Sequence, residues 1–244
     1  MRCDFSFGHY EQIVKLVQKR YSFSFFSDYA KKNNEKIAKV YLRHDVDLSL
    51  EKALELAKIE KKNGAVSTYF IRLDGLYYNI FHARYISIIN KIVKLGHQIG
   101  LHFDELSVVS KEKNSKVFVS KIKQQISILR QYFPVNSVVS FHRPSPSLFG
   151  KDLLDEGLIS TYSDYFFNKT KYLSDSRGLW KEGCVCKYLQ NNNNKRDLQL
   201  LVHPVWWNRT SRDSGIILTR FLKEKLLQLD NEMGKEIQVY SKKF

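Results

Sequence analysis

Cysteine is scarce in this chain. Its 244 residues include three, Cys3, Cys184 and Cys186, too few for a disulfide framework. The Cys184-Val185-Cys186 spacing does not suit a zinc knuckle, so the three read as ordinary thiols of a reducing compartment. Long apolar runs are also missing, and none approaches the roughly 20 residues needed to span a bilayer. The opening Met1-Arg2-Cys3-Asp4-Phe5-Ser6 lacks the basic-then-apolar layout of a secretory signal. A cytoplasmic location is therefore expected, and the sequon Asn208-Arg209-Thr210 carries little weight. No internal repeat or linker-like stretch divides the chain, so residues 1–244 read as one domain, a length usual for an α/β barrel. Acidic residues are outnumbered: 40 Lys and Arg against 25 Asp and Glu give a net charge of +15. Such a charge bears on partners, not on fold. Besides a plainly solvated surface, it admits an anionic substrate, peripheral contact with an anionic membrane, or nucleic acid. The cations are scattered, as in Lys61-Lys62, Lys111, Lys113 and Lys116, with no zinc-finger or RNA-recognition motif. Nucleic acid is not expected.

What the chain does have is a repeated switch between two hydrophobic periods. Residues 9–19, 50–63, 83–95, 119–133 and 214–229 carry apolar side chains at helical spacing. Ser49 is a candidate N-cap, Gly64 and Gly96 are candidate stops, and Pro134 closes the fourth. Strands are expected at 39–45, Val66–Ile71, His97–His102, Val138–Phe141, Leu158–Tyr162 and Leu198–Val202. A short helix is expected over Leu148–Leu154. The stretch 163–197 breaks the rhythm and reads as a long loop holding a hairpin, with an Asn run from Asn191 to Asn194. Strands alternating with helices imply parallel βαβ units, and about six of them suggest a barrel.

The chemistry gathers at strand ends. Arg43-His44-Asp45-Val46-Asp47 follows the apolar Val40-Tyr41-Leu42. On a strand, Asp45 and Asp47 share a face. Two anions side by side are unfavourable unless a cation or a proton-transfer role needs them. His97-Gln98-Ile99-Gly100-Leu101-His102, Phe141-His142-Arg143-Pro144 and Leu201-Val202-His203-Pro204 end later apolar runs. An acid followed by histidines at successive strand ends is the pattern of a metal-dependent hydrolase, collected where a barrel builds its active site.

From about 39 to 210, these segments resemble the polysaccharide deacetylases, the NodB-homology group of carbohydrate esterases. The subgroup with a His-Asp-Val-Asp motif, found among surface-glycan biosynthesis proteins, is the more similar. The resemblance implies a distorted seven-stranded (β/α) barrel and a deacetylase that needs one divalent metal ion, zinc being expected. It implies that Asp45 is the catalytic base, Asp47 and His102 are metal ligands, Arg143 orients and charge-balances the base, and His203 is the general acid. Its substrate would be an acetylated amino sugar, nucleotide sugar or glycan. One position departs from the pattern. The second ligand His expected four residues after His102 is Leu106, leaving Glu105, Asp104 or His142 to supply the third ligand.

Each residue also has a plainer reading. His44 points away from its Asp neighbours and His97 opens its strand, so both are expected to make core hydrogen bonds. Trp206 and Trp207 either stack on sugar or pack as a wall. Asp175, in Ser174-Asp175-Ser176, either contacts substrate or forms a simple Asx-turn. Two further functions compete. Leu106 suits a degenerate deacetylase fold that binds glycan or anions without catalysis. An Asp-x-Asp pair also serves metal-dependent glycosyltransferases, but only 44 residues precede Asp45, too few for a nucleotide-binding unit ahead of it.

Overall fold

The computed structural model describes residues 3–29, 37–107, 115–191 and 196–244. Six α-helices and eight strands alternate along it. They are α1 (Phe7–Gln18), β1 (Ser22–Phe23), β2 (Lys39–Val46), α2 (Leu50–Lys62), β3 (Thr68–Ile71), α3 (Ala83–Lys94), β4 (Gln98–Asp104), α4 (Ser115–Arg130), β5 (Val135–His142), β6 (Ile159–Ser160), β7 (Lys171–Ser174), α5 (Val185–Asn191), β8 (Leu198–Val202) and α6 (Ser214–Glu236). Local chemistry sets the helix ends. Ser49 caps α2 by accepting the Lys52 N–H at 3.2 Å, and Lys61 and Lys62 occupy the last turn, where cations suit the dipole.

All strands pair in parallel, in the order β6-β5-β4-β3-β2-β8-β7, with β1 on the start of β2. β2 shows how the sheet is two-sided. Val40 and Leu42 face outward into a cluster with Tyr10, Ile13, Val14 and Val17 of α1, while Val46 packs on Leu50 and Ala53 of α2. Tyr41 faces inward, in a small cluster with Phe26, Phe70, Val138 and Phe166. Inward too is Arg43, fully buried, whose Nη2 donates to Ser140 Oγ on β5 at 2.5 Å and to the Tyr162 hydroxyl at 2.9 Å. Two strands separate β2 from β5, about 14 Å in a flat sheet. A direct side-chain contact across that span requires the sheet to curl. The result is a distorted (β/α) barrel whose outer strands, β6 and β7, do not pair among the described residues.

Gly100 on β4 shows how tightly the interior is filled. A Cβ there would stand 2.7 Å from Phe70 Cε1 and 3.0 Å from the Val138 carbonyl oxygen. Interior layers therefore run from the aromatic plug around Tyr41, through Arg43 and Ser140, to the polar C-terminal rim.

Three expected elements come out differently. In place of a helix over Leu148–Leu154 there are two 3-10 turns, Pro146–Leu148 and Leu154–Glu156. Gly150 and Gly157, at φ 76° and 71°, interrupt the region. The stretch 163–197 is not a loop with a hairpin: it holds a π-helical turn (Tyr165–Lys169), β7 and α5, and β7 pairs with β8 in parallel. Of the Asn run, residues 192–194 lie outside the described residues. Finally, α6 runs seven residues past the expected end at 229, and Asp230 accepts the Tyr240 hydroxyl and the Lys243 N–H, folding the tail onto the helix. No described helix is long and apolar enough to cross a membrane.

Candidate metal centre and active-site cleft

β2, β4, β5 and β8 deliver their last inward side chains to one place. Asp47 follows β2, His102 lies near the end of β4, His142 ends β5, and His203 follows β8. Asp47 Oδ1 stands 3.0 Å from His102 Nε2 and 3.0 Å from His142 Nδ1. One oxygen and two imidazole nitrogens lie within 4.8 Å of one another. Donors about 2 Å from a shared divalent ion are separated by roughly 3 Å, so the set fits such an ion, and its nitrogen and oxygen atoms suit zinc. The far side of His102 is also held. His102 Nδ1 is 3.1 Å from Ser140 Oγ and 3.4 Å from the Ser140 carbonyl, which fixes the ring. Burial alone would raise the Asp47 pKa, but the hydrogen bonds from His102 and His142 hold it well below the usual carboxylate value.

Of the three candidates for the remaining position, His142 is the one on Asp47. Asp104 instead accepts from Arg72 Nη2 at 2.8 Å, and Glu105 accepts the Ser145 N–H at 2.7 Å. Leu106 points to solvent, 77% exposed. His142 reaches the site because β5 lies beside β4 with Asp104 opposite His142.

Asp45 has different company. Arg43 donates Nε to Oδ1 at 2.9 Å and Nη2 to Oδ2 at 2.7 Å, a bidentate pair, and Ser140 Oγ lies 3.1 Å from both oxygens. Burial acts to raise its pKa, and the charge and hydrogen bonds of Arg43 together with the His102 and His203 charges more than offset this. The cation beside Asp45 is thus Arg43, where the sequence reading had placed Arg143. Arg143 is exposed, in the left-handed region at φ 53°, and makes no ion pair among the described residues. It follows the last residue of β5 and lines the cleft.

His203 stands across the cleft, with Nε2 3.9 Å from Asp47 Oδ2. Its Nδ1 lies 2.7 Å from Asp175 Oδ1, and Asp175 also accepts the His203 backbone N–H at 2.9 Å and Trp207 Nε1–H at 2.9 Å. Burial pushes the imidazole pKa down, but the Asp175 hydrogen bond and charge lift it to about 9. Asp175 is therefore neither exposed to ligand nor a bare Asx-turn; it is a fully buried support for His203. Trp207 is likewise fully buried, against Phe5 and Tyr10 at 5.2 and 4.9 Å, so it does not face the cleft. Trp206 does line it. The cleft encloses about 480 Å³, and its rim carries Arg143, Arg177 and Lys181.

His44 and His97 sit behind the site. His44 Nε2 is 2.6 Å from Glu60 Oε1, and His97 bridges Ser67 Oγ at 2.9 Å and the Ala57 carbonyl at 3.0 Å. Glu60, wholly buried, also accepts from Ser67, Tyr69 and Tyr10.

No family model and no curated protein matches the chain. Among solved structures it is similar to the chitin deacetylase of the fungal pathogen Colletotrichum lindemuthianum, at 19% identity over 76% of this chain and 81% of that one, with a TM-score of 0.43. It is also similar to the Streptococcus pyogenes deacetylase PplD in complex with acetate, at 14% identity over 80% of each chain and a TM-score of 0.45. A family 4 carbohydrate esterase from Bacillus anthracis is 15% identical over 89% of this chain and 86% of that one, with a TM-score of 0.44.

Proposed function

We propose that the chain is a metal-dependent deacetylase that hydrolyses an N-acetyl group on an amino sugar or glycan precursor carrying negative charge. The observation that carries this reading is the meeting of three groups at one cleft: Asp47 with His102 and His142, Asp45 under Arg43, and His203 on Asp175. Asp47, His102 and His142 would hold one divalent ion, with zinc expected. Bound there, the ion supplies Lewis acidity toward water and toward a carbonyl oxygen.

The chain's own groups divide the proton work. Asp45, kept anionic by Arg43, takes a proton from the attacking water. Arg43 and Ser140 fix which way its carboxylate faces. His203 gives a proton to the departing amine nitrogen, and Asp175 holds Nδ1 so that Nε2 faces the cleft. Both groups lie beside the Asp47–His102–His142 set: Asp45 Oδ2 is 3.8 Å from His102 Nε2, and His203 Nε2 is 3.9 Å from Asp47 Oδ2.

The charge of the substrate is argued from the rim. Arg143, Arg177 and Lys181 are exposed there with no acidic side chain among the described residues paired to them. Arg143 and Arg177 are also the described non-glycine residues with positive φ, at 53° and 62°. Backbone strain persists where surrounding structure enforces it, commonly at functional sites. Trp206 offers a half-buried indole as a wall for a sugar ring. A place in surface-glycan assembly rests on the sequence resemblance alone.

Acetate release from a panel of N-acetylated amino sugars, neutral and phosphorylated, tests the reading. The metal-loaded protein should release acetate, most efficiently from an anionic member, and Asp47→Ala should not. Equal acetate release by Asp47→Ala, or none from any member by the metal-loaded protein, would overturn it.

A further inference from the structure

All three cysteines of the chain meet at one point, outside the residues that line the cleft. Cys3 Sγ lies 3.0 Å from Cys186 Sγ, Cys186 Sγ lies 3.3 Å from Cys184 Sγ, and His9 Nε2 lies 3.1 Å from Cys184 Sγ. The four donor atoms are all within 4.8 Å of one another. No disulfide joins the sulfurs. Cys184, Cys186 and His9 are buried, and Cys3 is half-buried at the mouth of the cluster.

From this convergence we infer a second metal site, in which Cys3, His9, Cys184 and Cys186 bind one structural zinc ion with four protein ligands. Three thiolates and one imidazole form a closed donor set for tetrahedral zinc. Zinc–sulfur bonds of about 2.3 Å separate tetrahedral sulfurs by roughly 3.8 Å, so binding needs the cluster to open by only several tenths of an ångström. The ligands come from fixed elements. His9 sits in the first turn of α1, where its N–H is held by the Ser6 cap at 3.1 Å. Cys184 precedes α5 and its backbone carbonyl accepts the Lys187 N–H at 2.9 Å, and Cys186 lies in the first turn of α5. Each thiol that binds releases its proton to solvent, so three protons leave as one dication enters.

The ion would staple the N-terminal segment and α1 to α5. That junction supports the wall behind His203. The Phe5 and His9 rings pack 5.2 and 6.3 Å from the Trp207 ring, and Trp207 Nε1–H holds Asp175. The site lies outside the proposed catalytic set and shares no ligand with it.

Cobalt substitution of the full-length protein under reducing conditions tests the inference. Thiolate-to-cobalt charge transfer absorbs in the near ultraviolet, and the Asp47–His102–His142 set contains no sulfur that could give it. The wild-type protein should show this band and hold about two ions, one for each site. Asp47→Ala should lose one ion and keep the band. Cys184→Ser should lose the band and keep the other ion. If Cys184→Ser does not fold, Cys3→Ser, at the half-buried ligand, should show a weakened band. Wild-type protein that takes up cobalt without the band would overturn the inference, as would a band unchanged in both cysteine variants. Neither result depends on acetate release, so the second site and the deacetylase reading can fail separately.

Discussion

Two carboxylates that share one strand face have different neighbours. Asp45 lies under a guanidinium and a hydroxyl, whereas Asp47 meets two imidazole nitrogens. Asp47→Ala should therefore lose both the cleft metal and activity. Asp45→Asn should keep the metal and lose turnover by about 10²-fold or more, the range for removing a general base. Metal content by mass spectrometry and acetate release read the two effects; loss of metal with retained turnover in Asp45→Asn would exchange the roles. Much of this site was legible at the residue scale. Asp45, Asp47, His102 and His203 end apolar runs, and a strand end at a barrel rim is where such groups collect. The cation of Asp45 was not found, although Arg43 stands two residues earlier on the same alternating face, a signal present in Arg43-His44-Asp45 itself. Asp175 was singled out as a substrate contact or an Asx-turn, but its pairing with His203 was not legible, because that pairing depends on β7, whose four residues carry no pattern of their own.

At the scale of elements, one buried carboxylate joins four of them. Glu60 of α2 meets Tyr10 of α1, His44 of β2 and Tyr69 of β3, together with Ser67. Burial alone would raise its pKa, yet the His44 and His97 interactions hold it at about 2, against an ordinary 4.5. A folded-state pKa below the unfolded one means that the unfolded chain binds the proton first as pH falls. The stabilisation is thus complete above about pH 4.5 and is lost from there down toward about 2. Urea titrations between those limits should show a steep loss of stability in the wild type and a shallower one in Glu60→Gln. At neutral pH that variant should be less stable by about 3 kcal/mol, as for a broken buried pair. Gly100 gives a second test. Gly100→Ala drives a methyl into Phe70 and the Val138 carbonyl, and overpacking of this kind costs about 1–3 kcal/mol. At about 2–4 °C per kcal/mol for a chain of this size, calorimetry should register a lower Tm; an unchanged Tm would mean that the barrel interior has slack at this layer. The longer helices and the strands beside them were readable because their apolar spacing repeats over ten or more residues. β1, β7 and the 3-10 turns were not, because two to four residues are too few to show a period, whereas β6 lies within the strand expected at Leu158–Tyr162.

For the whole molecule, the charge of +15 should act at a distance. Fields of this sign raise the capture rate of anions, and salt shortens their reach to about 10 Å at 0.1 M. kcat/KM on an anionic acetylated sugar should fall as ionic strength rises, mainly through KM, while a neutral analogue should respond little. Equal efficiency on both with no salt response would remove the anionic bias and leave the amide chemistry untouched. The strand order carries a further consequence, one of time. β8, the last strand in the chain, is inserted between β2 and β7. On a ribosome, β2 emerges early with its β8-facing edge open, and β7 emerges with no neighbour to pair with. Both wait until about residue 202 has been made. An unpaired edge on a buried parallel strand invites pairing with other chains. A nascent chain that stops short of β8 should therefore be a client for chaperones, and Asp45 and Asp47 come together with His203 only once the final strand has closed the gap.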